Sequence, residues 1–281
     1  GLFAIARRLR ATDCCAMSET VSLRHFGSLD SVGAAVAAYV RSVSGEGRFV
    51  VALSGGSLPK LLRGLRDVDM SEWEIFFADE RLVPLESEES NYKACADALF
   101  GDAPRPPKVH ALDVTLDAGE AARKYDDELR ACGGLDLALL GAGPDGHTAS
   151  LFPGHPLFLR GDDGGRLVDF LVDSPKPPNT RVTLTKTALH QAKHVAYVAT
   201  GASKAPLFAQ LFLRGEGRKK REQNRHSRPE DDDDDDENDA FVEISDPRPP
   251  LPVAHVRAAD GSATFFVDDA AIADIIAPAD T

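Results

Sequence analysis

Continuous apolar runs alternate along this chain with segments in which apolar residues recur every three or four positions. The segment from Leu29 to Ser44 has the spacing of an amphipathic helix. Apolar runs typical of strands buried on both faces occur at residues 49–53, 75–78, 135–140 and 195–199, and each leads into a polar or glycine-rich turn. Such strands alternating with helices predict an α/β fold, a mostly parallel sheet with helices on both faces. In such folds ligands bind beyond the carboxyl ends of the strands.

The alternation stops between residues 214 and 250. This segment holds a basic cluster at 218–221 and an acidic run from Glu230 to Asp239, and it ends in several prolines. It has too little apolar surface to offset the chain entropy lost on folding, so we expect a disordered, charged insertion.

The pattern resumes after the insertion. We expect short strands at 254–256 and 264–267 and a final helix from Asp268 to Ile276. Residues 17–281 are therefore interpreted as a single domain that carries the insertion, and residues 1–16 as a disordered N-terminal extension.

The net charge of the chain and its distribution indicate which class of partner the protein binds. The chain has 32 basic and 45 acidic residues, a net charge of −13, but nine of the acids lie in residues 230–239. The rest has 32 basic residues against 36 acidic ones, a net charge of −4. A nearly neutral body argues against nucleic acid, whose phosphates attract an excess of Lys and Arg, and favours a small molecule. No stretch approaches the roughly 20 apolar residues of a membrane span, so no membrane partner is expected.

The cysteines and the first sixteen residues bear on the compartment. Cys14 and Cys15 are adjacent, and no cysteine pair in the chain has the C-x-x-C spacing of a metal or redox site. We therefore expect no metal and a reducing, cytoplasmic compartment. Residues 1–16 contain arginines and almost no acids, as organellar transit segments do, although a start at Met17 explains them equally well.

Small residues follow the first buried strand. The turn consists of Ser54, Gly55, Gly56 and Ser57, and a helix is expected to begin near Pro59. Backbone N–H groups and a helix N-terminus that point out of such a turn form a phosphate-binding site. A plain tight turn is the structural alternative. The chain has no G-x-x-x-x-G-K-[ST] motif, which argues against a nucleotide-hydrolysing P-loop.

A second glycine-rich turn, at residues 141–146, follows another buried strand. It satisfies G-x-G-x-x-G, and Asp162 lies near the distance expected of a ribose-binding acid. A dinucleotide loop needs an apolar helix directly behind its third glycine, whereas His147 and Thr148 stand there, so NAD binding is the weaker interpretation. The stronger one is that Asp145 and His147 present a carboxylate and an imidazole to one cleft, with histidine as general base.

Charged side chains follow or begin three further strands. Asp79 and Arg81 come directly after the second buried strand, Arg181 begins an alternating strand, and Lys204 opens a helix after the run at 195–199. The planar guanidinium fork of arginine suits a phosphate or carboxylate, and Arg181 and Lys204 are candidates for binding the same anion. Ion pairs at the surface are the alternative that the sequence leaves open.

Taken in chain order, these motifs resemble those of the 6-phosphogluconolactonases. The resemblance extends from about Leu23 to Ile276 and rests on six strings: ALSGGSLPKLL, FFADERLVPLESEESNY, LDLALLGAGPDGHTASLFPGHP, RVTLTKTAL, GASKA and LPVAHVRAADGSATFFVD. It implies an α/β fold of the modified Rossmann-like kind. It also implies hydrolysis of 6-phospho-D-glucono-1,5-lactone to 6-phosphogluconate in the pentose phosphate pathway, without a metal or organic cofactor. We expect a monomer or weak homodimer whose partner is the phosphorylated sugar lactone.

The resemblance also suggests roles at the reacting centre. We hypothesise that His147 acts as general base on a water that attacks the lactone carbonyl, with Asp145 orienting its ring. Arg81, or backbone amides near Gly55 and Gly56, would stabilise the oxyanion.

A second group of residues is assigned to the phosphate and the rest of the substrate. We expect the phosphate at the Ser54–Ser57 turn with Lys204 and Arg181, and we include Asp79 among the substrate-binding residues. Arg81 is also a candidate phosphate ligand, so its role stays open between phosphate and oxyanion.

Two other functions remain as alternatives. Glucosamine-6-phosphate deaminases are similar but read D-G-H-I-A-F-N-E-P-G where this chain reads DGHTASLFPG, so Phe152 replaces the glutamate that assists ring opening. A phenyl ring cannot relay a proton, which favours the lactonase. The other alternative is a catalytically silent sugar-phosphate sensor, since fold alone does not give function. The chain has no recognisable DNA-binding helix pair and retains the candidate base, which argues against a sensor.

Overall fold

One eight-stranded sheet organises the residues that the computed structural model describes, which are 21–161, 163–212, 239–242 and 249–276. Numbered along the chain and taken in order across the sheet, its strands are β10 (Asp239–Val242), β1 (Val21–Phe26), β11 (Ala263–Asp268), β9 (His194–Ala199), β6 (Leu137–Gly141), β2 (Phe49–Leu53), β3 (Trp73–Phe77) and β5 (Lys108–Val109). Neighbouring strands are parallel, apart from β10, which pairs antiparallel with β1. The mostly parallel sheet predicted from the sequence is confirmed.

A second, antiparallel sheet stands at the carboxyl end of β3. Its three strands, in spatial order, are β4 (Asp79–Arg81), β8 (Arg181–Leu184) and β7 (Val168–Leu171). Ala78 alone separates β4 from β3, so the chain passes directly from the large sheet into the small one. The pairing of β4 with β8 places Arg81 opposite Arg181, and these two residues come from distant parts of the chain.

Helices connect the strands. They are α1 (Leu29–Ser44), α2 (Leu58–Leu61), α3 (Asn91–Cys95), α4 (Ala118–Ala131), α5 (Pro156–Leu159), α6 (Lys186–His190), α7 (Ala205–Leu211), α8 (Pro252–His255) and α9 (Ala273–Ile276). A 3₁₀ turn at Leu62–Leu65 extends α2, and a π-helical turn at Ala96–Phe100 extends α3. Further 3₁₀ turns at Ala202–Lys204 and Asp269–Ile272 lead into α7 and α9. No helix in these described ranges is long and apolar enough to cross a membrane.

Both faces of the large sheet are buried. All five residues of β2 are at most 2% exposed. Alternate residues of β2 face opposite sides: Val50 belongs to the apolar cluster that includes Leu129 of α4, and Val51 belongs to the cluster that includes Val36 of α1. This two-sided burial explains why the strands are continuous apolar runs in the sequence.

The strand predicted at 254–256 is wrong, because residues 252–255 form helix α8. Pro252 has no N–H group for a sheet ladder, and its fixed backbone angle suits the first turn of a helix. The N–H of Val256 donates to the carbonyl of Pro252 and closes this turn. The buried guanidinium of Arg257 donates to the carbonyls of Val253, Ala254 and Val256. These contacts satisfy backbone groups that a strand would have paired with a neighbouring strand.

The disordered insertion predicted at 214–250 is wrong for residues 239–242, because they form strand β10. Residues 21–24 of β1 pair with them in antiparallel register. The stretch Ala-Phe-Val directly after the acidic run is the strand signal that the composition of the segment obscures. The expectations for residues 1–16, for Asp162 and for the rest of the insertion up to residue 248 lie outside the described residues.

We predict that Tyr125→Phe lowers the free energy of unfolding by about 1–3 kcal/mol, because it leaves a buried N–H group without an acceptor. The Tyr125 hydroxyl on α4 accepts a 2.6 Å hydrogen bond from the backbone N–H of Phe77, the last residue of β3. Urea unfolding followed by circular dichroism measures the change. Tyr92→Phe is the control, since the Tyr92 hydroxyl has no hydrogen bond in the described part of the chain. Equal stability of the two variants would contradict the prediction.

Candidate functional site

The residues singled out from the sequence converge at the carboxyl ends of β2, β3, β6 and β9. Nine of the ten predicted site residues line one open cleft with an empty volume of about 700 Å³: Ser54, Gly55, Gly56, Ser57, Asp79, Arg81, His147, Arg181 and Lys204. The tenth, Asp145, hydrogen-bonds His147. The structure therefore brings the predicted site residues together beyond the strand ends.

Asp145 and His147 form a pair on the turn that follows β6. The Nδ1–H of His147 donates to Oδ1 of Asp145, which leaves Nε2 with a free lone pair. The turn is closed by the N–H of Gly143, which donates to the carbonyl of His147 at 2.8 Å. A Cβ atom on Gly143 would lie 2.0 Å from the imidazole ring and 2.6 Å from the Asp145 carboxylate. Gly143 is therefore required for close packing of the pair against the backbone.

The same geometry argues against a dinucleotide loop. No helix follows Gly146 directly; Thr148 and Leu151 form an isolated bridge, and the next helix, α5, starts at Pro156. The pyrophosphate-binding helix N-terminus of a dinucleotide fold is therefore absent from this part of the described chain.

The surroundings of His147 favour its neutral form. Burial lowers the pKa of His147. The Asp145 carboxylate raises this pKa but does not offset the lowering by burial, and the Lys176 ammonium lowers it further. The ring lies against Phe152, with ring centroids 4.9 Å apart, and the His147 side chain is 20% exposed. Burial alone would raise the pKa of Asp145, but hydrogen bonds from His147 and Lys176 lower it to about 2. At neutral pH the site therefore holds a neutral imidazole beside a charged carboxylate.

Lys176 is a site residue that the sequence reasoning missed. Its ammonium lies 3.1 Å from Oδ2 of Asp145 and 3.1 Å from Nδ1 of His147. The signal available in the sequence was a lysine within the proline-rich string SPKPP, which reads as an ordinary loop. Because Lys176 is 29 residues from His147 along the chain, only the folded structure places the two together.

Arg181 lines the cleft, but most of its donors bind the protein. Nε donates to the carbonyl of Pro178, and Nη2 donates to the carbonyls of Lys176 and Pro177. Nη1 lies 3.5 Å from Oδ2 of Asp79. Burial lowers the pKa of Arg181, which as a guanidinium still remains charged at neutral pH. Arg181 therefore holds the loop that carries Lys176.

Asp79 forms part of the wall of the cleft, and its carboxylate is bound by other protein groups. It is 6% exposed, and its carboxylate accepts hydrogen bonds from Ser150 Oγ at 2.6 Å and from Asn91 Nδ2 at 3.3 Å. With the nearby Arg181, these contacts occupy much of its accepting capacity. A carboxylate also repels a phosphate, so the geometry favours a positioning role for Asp79 over the direct phosphate contact considered above.

Asn91 and Glu80 are two further residues that sequence reasoning missed. Asn91 packs so closely on the glycine turn that a Cβ atom on Gly55 would lie 1.8 Å from its Oδ1. The Glu80 carboxylate, 2% exposed, accepts the backbone N–H groups of Arg81, Asn91 and Tyr92. Burial raises the pKa of Glu80, and these hydrogen bonds work against that rise. These hydrogen bonds to Glu80 hold the start of α3 against β4.

Several donors in the cleft have no protein partner. Oγ of Ser54 and Nε of Arg81 are buried and make no hydrogen bond in the part of the chain that the structure describes. The ammonium of Lys204 makes no ion pair with any of the described residues. Burial lowers the pKa of Lys204, and the charge of Lys176 adds to this effect. Unpaired donors and neighbouring cations make the cleft suited to an anionic ligand.

Comparison with known proteins points to one family. The family model described as glucosamine-6-phosphate isomerases/6-phosphogluconolactonase matches residues 28–226. The 6-phosphogluconolactonase of Rattus norvegicus is 35% identical over 269 residues, which cover 88% of this chain and 90% of that protein. A protein of Oryza sativa subsp. indica, "Probable 6-phosphogluconolactonase 3, chloroplastic", is 39% identical over 213 residues, 66% of this chain. The match covers 64% of the length of that plant relative.

Solved structures agree with the sequence comparison. The crystal structure of 6-phosphogluconolactonase from Thermotoga maritima superposes with a TM-score of 0.65 at 28% identity, covering 88% of this chain and 98% of that one. The fold predicted from the strand and helix pattern is thus that of a solved relative.

We predict that the His147 imidazole titrates below its ordinary pKa of 6.5 and that Lys176→Met raises this pKa, because the variant removes a nearby positive charge. Asp145→Asn should lower it, because that variant removes the neighbouring negative charge. NMR titration of imidazole signals, assigned by their loss in His147→Gln, measures the shifts. Lys193→Met is the matched control, since Lys193 pairs with Asp136 and is 73% exposed. An unchanged titration in Lys176→Met would contradict the prediction.

Proposed function

Since the chain belongs to the glucosamine-6-phosphate isomerase/6-phosphogluconolactonase family, we propose that it hydrolyses 6-phospho-D-glucono-1,5-lactone to 6-phosphogluconate, its step in the oxidative pentose phosphate pathway. The observation that carries the proposal is the Asp145–His147 pair, which holds a neutral imidazole at the wall of a cleft suited to an anion.

In the proposed reaction Nε2 of His147 removes a proton from a water molecule whose oxygen attacks the lactone carbonyl carbon. The tetrahedral intermediate then collapses, and the bond between the carbonyl carbon and the ring oxygen breaks. The imidazolium returns its proton to that oxygen, which leaves a hydroxyl group and a carboxyl group. Asp145 keeps the Nδ1 proton in place and stabilises the imidazolium between the two transfers.

Lys176 is proposed to set the strength of the base. Its ammonium lies close to the Nδ1 side of the ring, so it disfavours a positive charge on His147 in the free enzyme. It also bonds Asp145 and fixes the position of that carboxylate. A neutral base at physiological pH supports a hydrolysis that needs no external proton acceptor.

The phosphate is proposed to bind the Ser54–Ser57 turn and Lys204. Support comes from the partnerless hydroxyl of Ser54 and from the unpaired, partly buried ammonium of Lys204. Arg81 is assigned to the oxyanion, because its Nε is buried without a partner while Nη1 donates to the carbonyl of Glu89. A preorganised donor of this kind needs no reorientation as charge develops.

The deaminase alternative is disfavoured by the surroundings of Phe152. This residue occupies the position of the deaminase glutamate, is 1% exposed, and packs against His147. The Lys176 and Arg181 cations lie 6.0 and 5.9 Å from its ring centroid. This position therefore holds a buried apolar ring, and the ring has no proton to transfer.

The assembly state and the compartment belong to the same proposal. The base, its orienting carboxylate and the candidate phosphate ligands all come from one chain, so we propose that a monomer, or at most a weak homodimer, is active. We propose the cytoplasm as the compartment. Import of a fluorescent protein fused behind residues 1–16 into an organelle would contradict that assignment.

His147→Ala should lower kcat by about 10²- to 10⁴-fold with little change in KM, because it removes the general base and leaves the phosphate site intact. The assay couples hydrolysis of freshly generated lactone to 6-phosphogluconate dehydrogenase and NADP⁺, with unaided ring opening subtracted. His190→Ala, a change at an exposed histidine outside the cleft, should behave as wild type. Wild-type turnover by His147→Ala would refute the assignment, and no acceleration by either protein would refute the proposed activity.

Lys204→Ala and Arg81→Ala should separate binding from chemistry. Loss of one charged phosphate contact should raise KM about 10- to 100-fold in Lys204→Ala and leave kcat nearly unchanged. Arg81→Ala should lower kcat at saturating substrate instead. Lys193→Ala is the charge-matched control. If Arg81→Ala raises KM alone, the residue belongs to the phosphate site, and the oxyanion assignment is wrong.

A further inference from the structure

A buried polar cluster lies near the amino end of β3, away from the cleft. Its members are Glu74 on β3, His110 directly after β5, and Cys132 at the end of α4. Their side chains are largely buried; that of His110 is 7% exposed and that of Glu74 is 14% exposed. Five residues of extended chain, about 16 Å, separate Glu74 from Asp79 in the cleft wall. None of the three residues lines the cleft.

The three ligand atoms have the spacing of a metal site. Oε2 of Glu74 lies 2.8 Å from Nε2 of His110 and 3.2 Å from Sγ of Cys132, and Sγ lies 3.8 Å from Nε2. Tetrahedral zinc with ordinary bond lengths separates two oxygen or nitrogen ligands by about 3.4 Å, and sulfur from either by about 3.6 Å. Small side-chain movements, each changing a separation by about 0.6 Å or less, would bring the cluster to that geometry.

A second set of contacts orients the His110 imidazole in a way that is common in metal sites. Nδ1 of His110, on the far side of the ring from Glu74, lies 3.0 Å from Oε2 of Glu128. The ring also stacks on Phe76, with centroids 4.0 Å apart and planes 10° apart. Histidines that bind metals through one nitrogen commonly donate the other N–H to a carboxylate, which fixes the ring. His110 has this arrangement, with Nε2 directed at Glu74 and Cys132.

The chemistry of the donors selects the ion. Calcium and magnesium take oxygen ligands almost exclusively, whereas a thiolate, an imidazole and a carboxylate together suit zinc. We propose that Glu74, His110 and Cys132 bind one zinc ion, with water as the fourth ligand, at a site distinct from the substrate cleft. Binding releases the Cys132 thiol proton to solvent, and His110 coordinates through the lone pair of Nε2.

Two cations compete with the ion for Glu74. Nζ of Lys108 donates to Oε2 at 3.0 Å, and Nε of Arg48 donates to Oε1 at 2.7 Å. Both side chains are more than half exposed, so Lys108 is free to move into solvent when zinc takes its place on Oε2. Arg48 remains on the other oxygen. Zinc and Lys108 therefore exclude each other at one atom, which gives the proposal a specific consequence.

The site ties three separate elements together. The backbone N–H of His110 donates to the carbonyl of Ile75, so the ligand from the edge strand is already fixed to β3. Cys132 adds the end of α4 to the same point. Sequence reasoning predicted no metal site, because these three residues are 22 to 58 positions apart and have none of the short spacings of a metal-binding motif.

Zinc titration of the full-length, tag-free chain against a chromogenic chelator tests the proposal. Wild type should bind one equivalent of zinc, and magnesium should not compete. Cys132→Ser and Glu74→Gln should lose the site, and Glu128→Gln should weaken it about 10- to 100-fold. Lys108→Met should strengthen binding, because it removes the competing cation. Cys14→Ser/Cys15→Ser controls for the cysteines outside the described residues and should bind as wild type.

A cobalt-substituted sample gives a second readout. Wild type should show a thiolate-to-cobalt charge-transfer band that disappears in Cys132→Ser, while circular dichroism verifies that the variant is folded. The proposal is overturned if zinc binds no more tightly to folded wild type than to folded Cys132→Ser. It is equally overturned if Lys108→Met leaves the affinity unchanged. Neither readout depends on lactone hydrolysis, so failure of the proposed function would not affect the result.

Discussion

The close approach of two side chains to the backbone is the constraint on which the cleft depends. His147 lies against Gly143, and Asn91 lies against Gly55, at distances that no Cβ atom would allow. The first contact lets the imidazole and its carboxylate fold back over their own turn. The second holds the Ser54–Ser57 turn against the start of α3. In both halves of the site a side chain thus fills the space that glycine leaves beside the backbone.

These glycines also show how much the sequence could reveal. Glycine-rich turns after buried strands indicated which residues would meet in one cleft, because parallel strands bring their carboxyl ends to one edge. The reason for the glycines was less accessible. A G-x-G-x-x-G string suggests approach to a ligand, whereas at Gly143 the group that approaches is the imidazole of His147. That partner is local, but its conformation depends on the fold around it.

The features that sequence reasoning missed depend on long-range contacts or on local signals that composition masks. Lys176 contacts Asp145, 31 positions away in the sequence, and Glu80 binds backbone amides up to 12 positions away. Neither sequence separation corresponds to a helical or strand period. Strand β10 lies beside an acidic run that dominates any window around it. The large sheet was predictable for the opposite reason: burial on both faces leaves continuous apolar runs that need no partner to be recognised.

Short strands at both margins of the large sheet have a consequence for how copies of this protein meet. Among the described residues, one margin is β5, which has two residues and includes the charged Lys108; the other is β10, which has four residues and begins with Asp239, the last residue of the acidic run. An exposed strand edge is a template for pairing with another chain, and short length and charge are two common ways of blocking it. Continuation of the sheet from one molecule into the next is therefore disfavoured at both ends, which protects the protein against strand-mediated aggregation at high concentration.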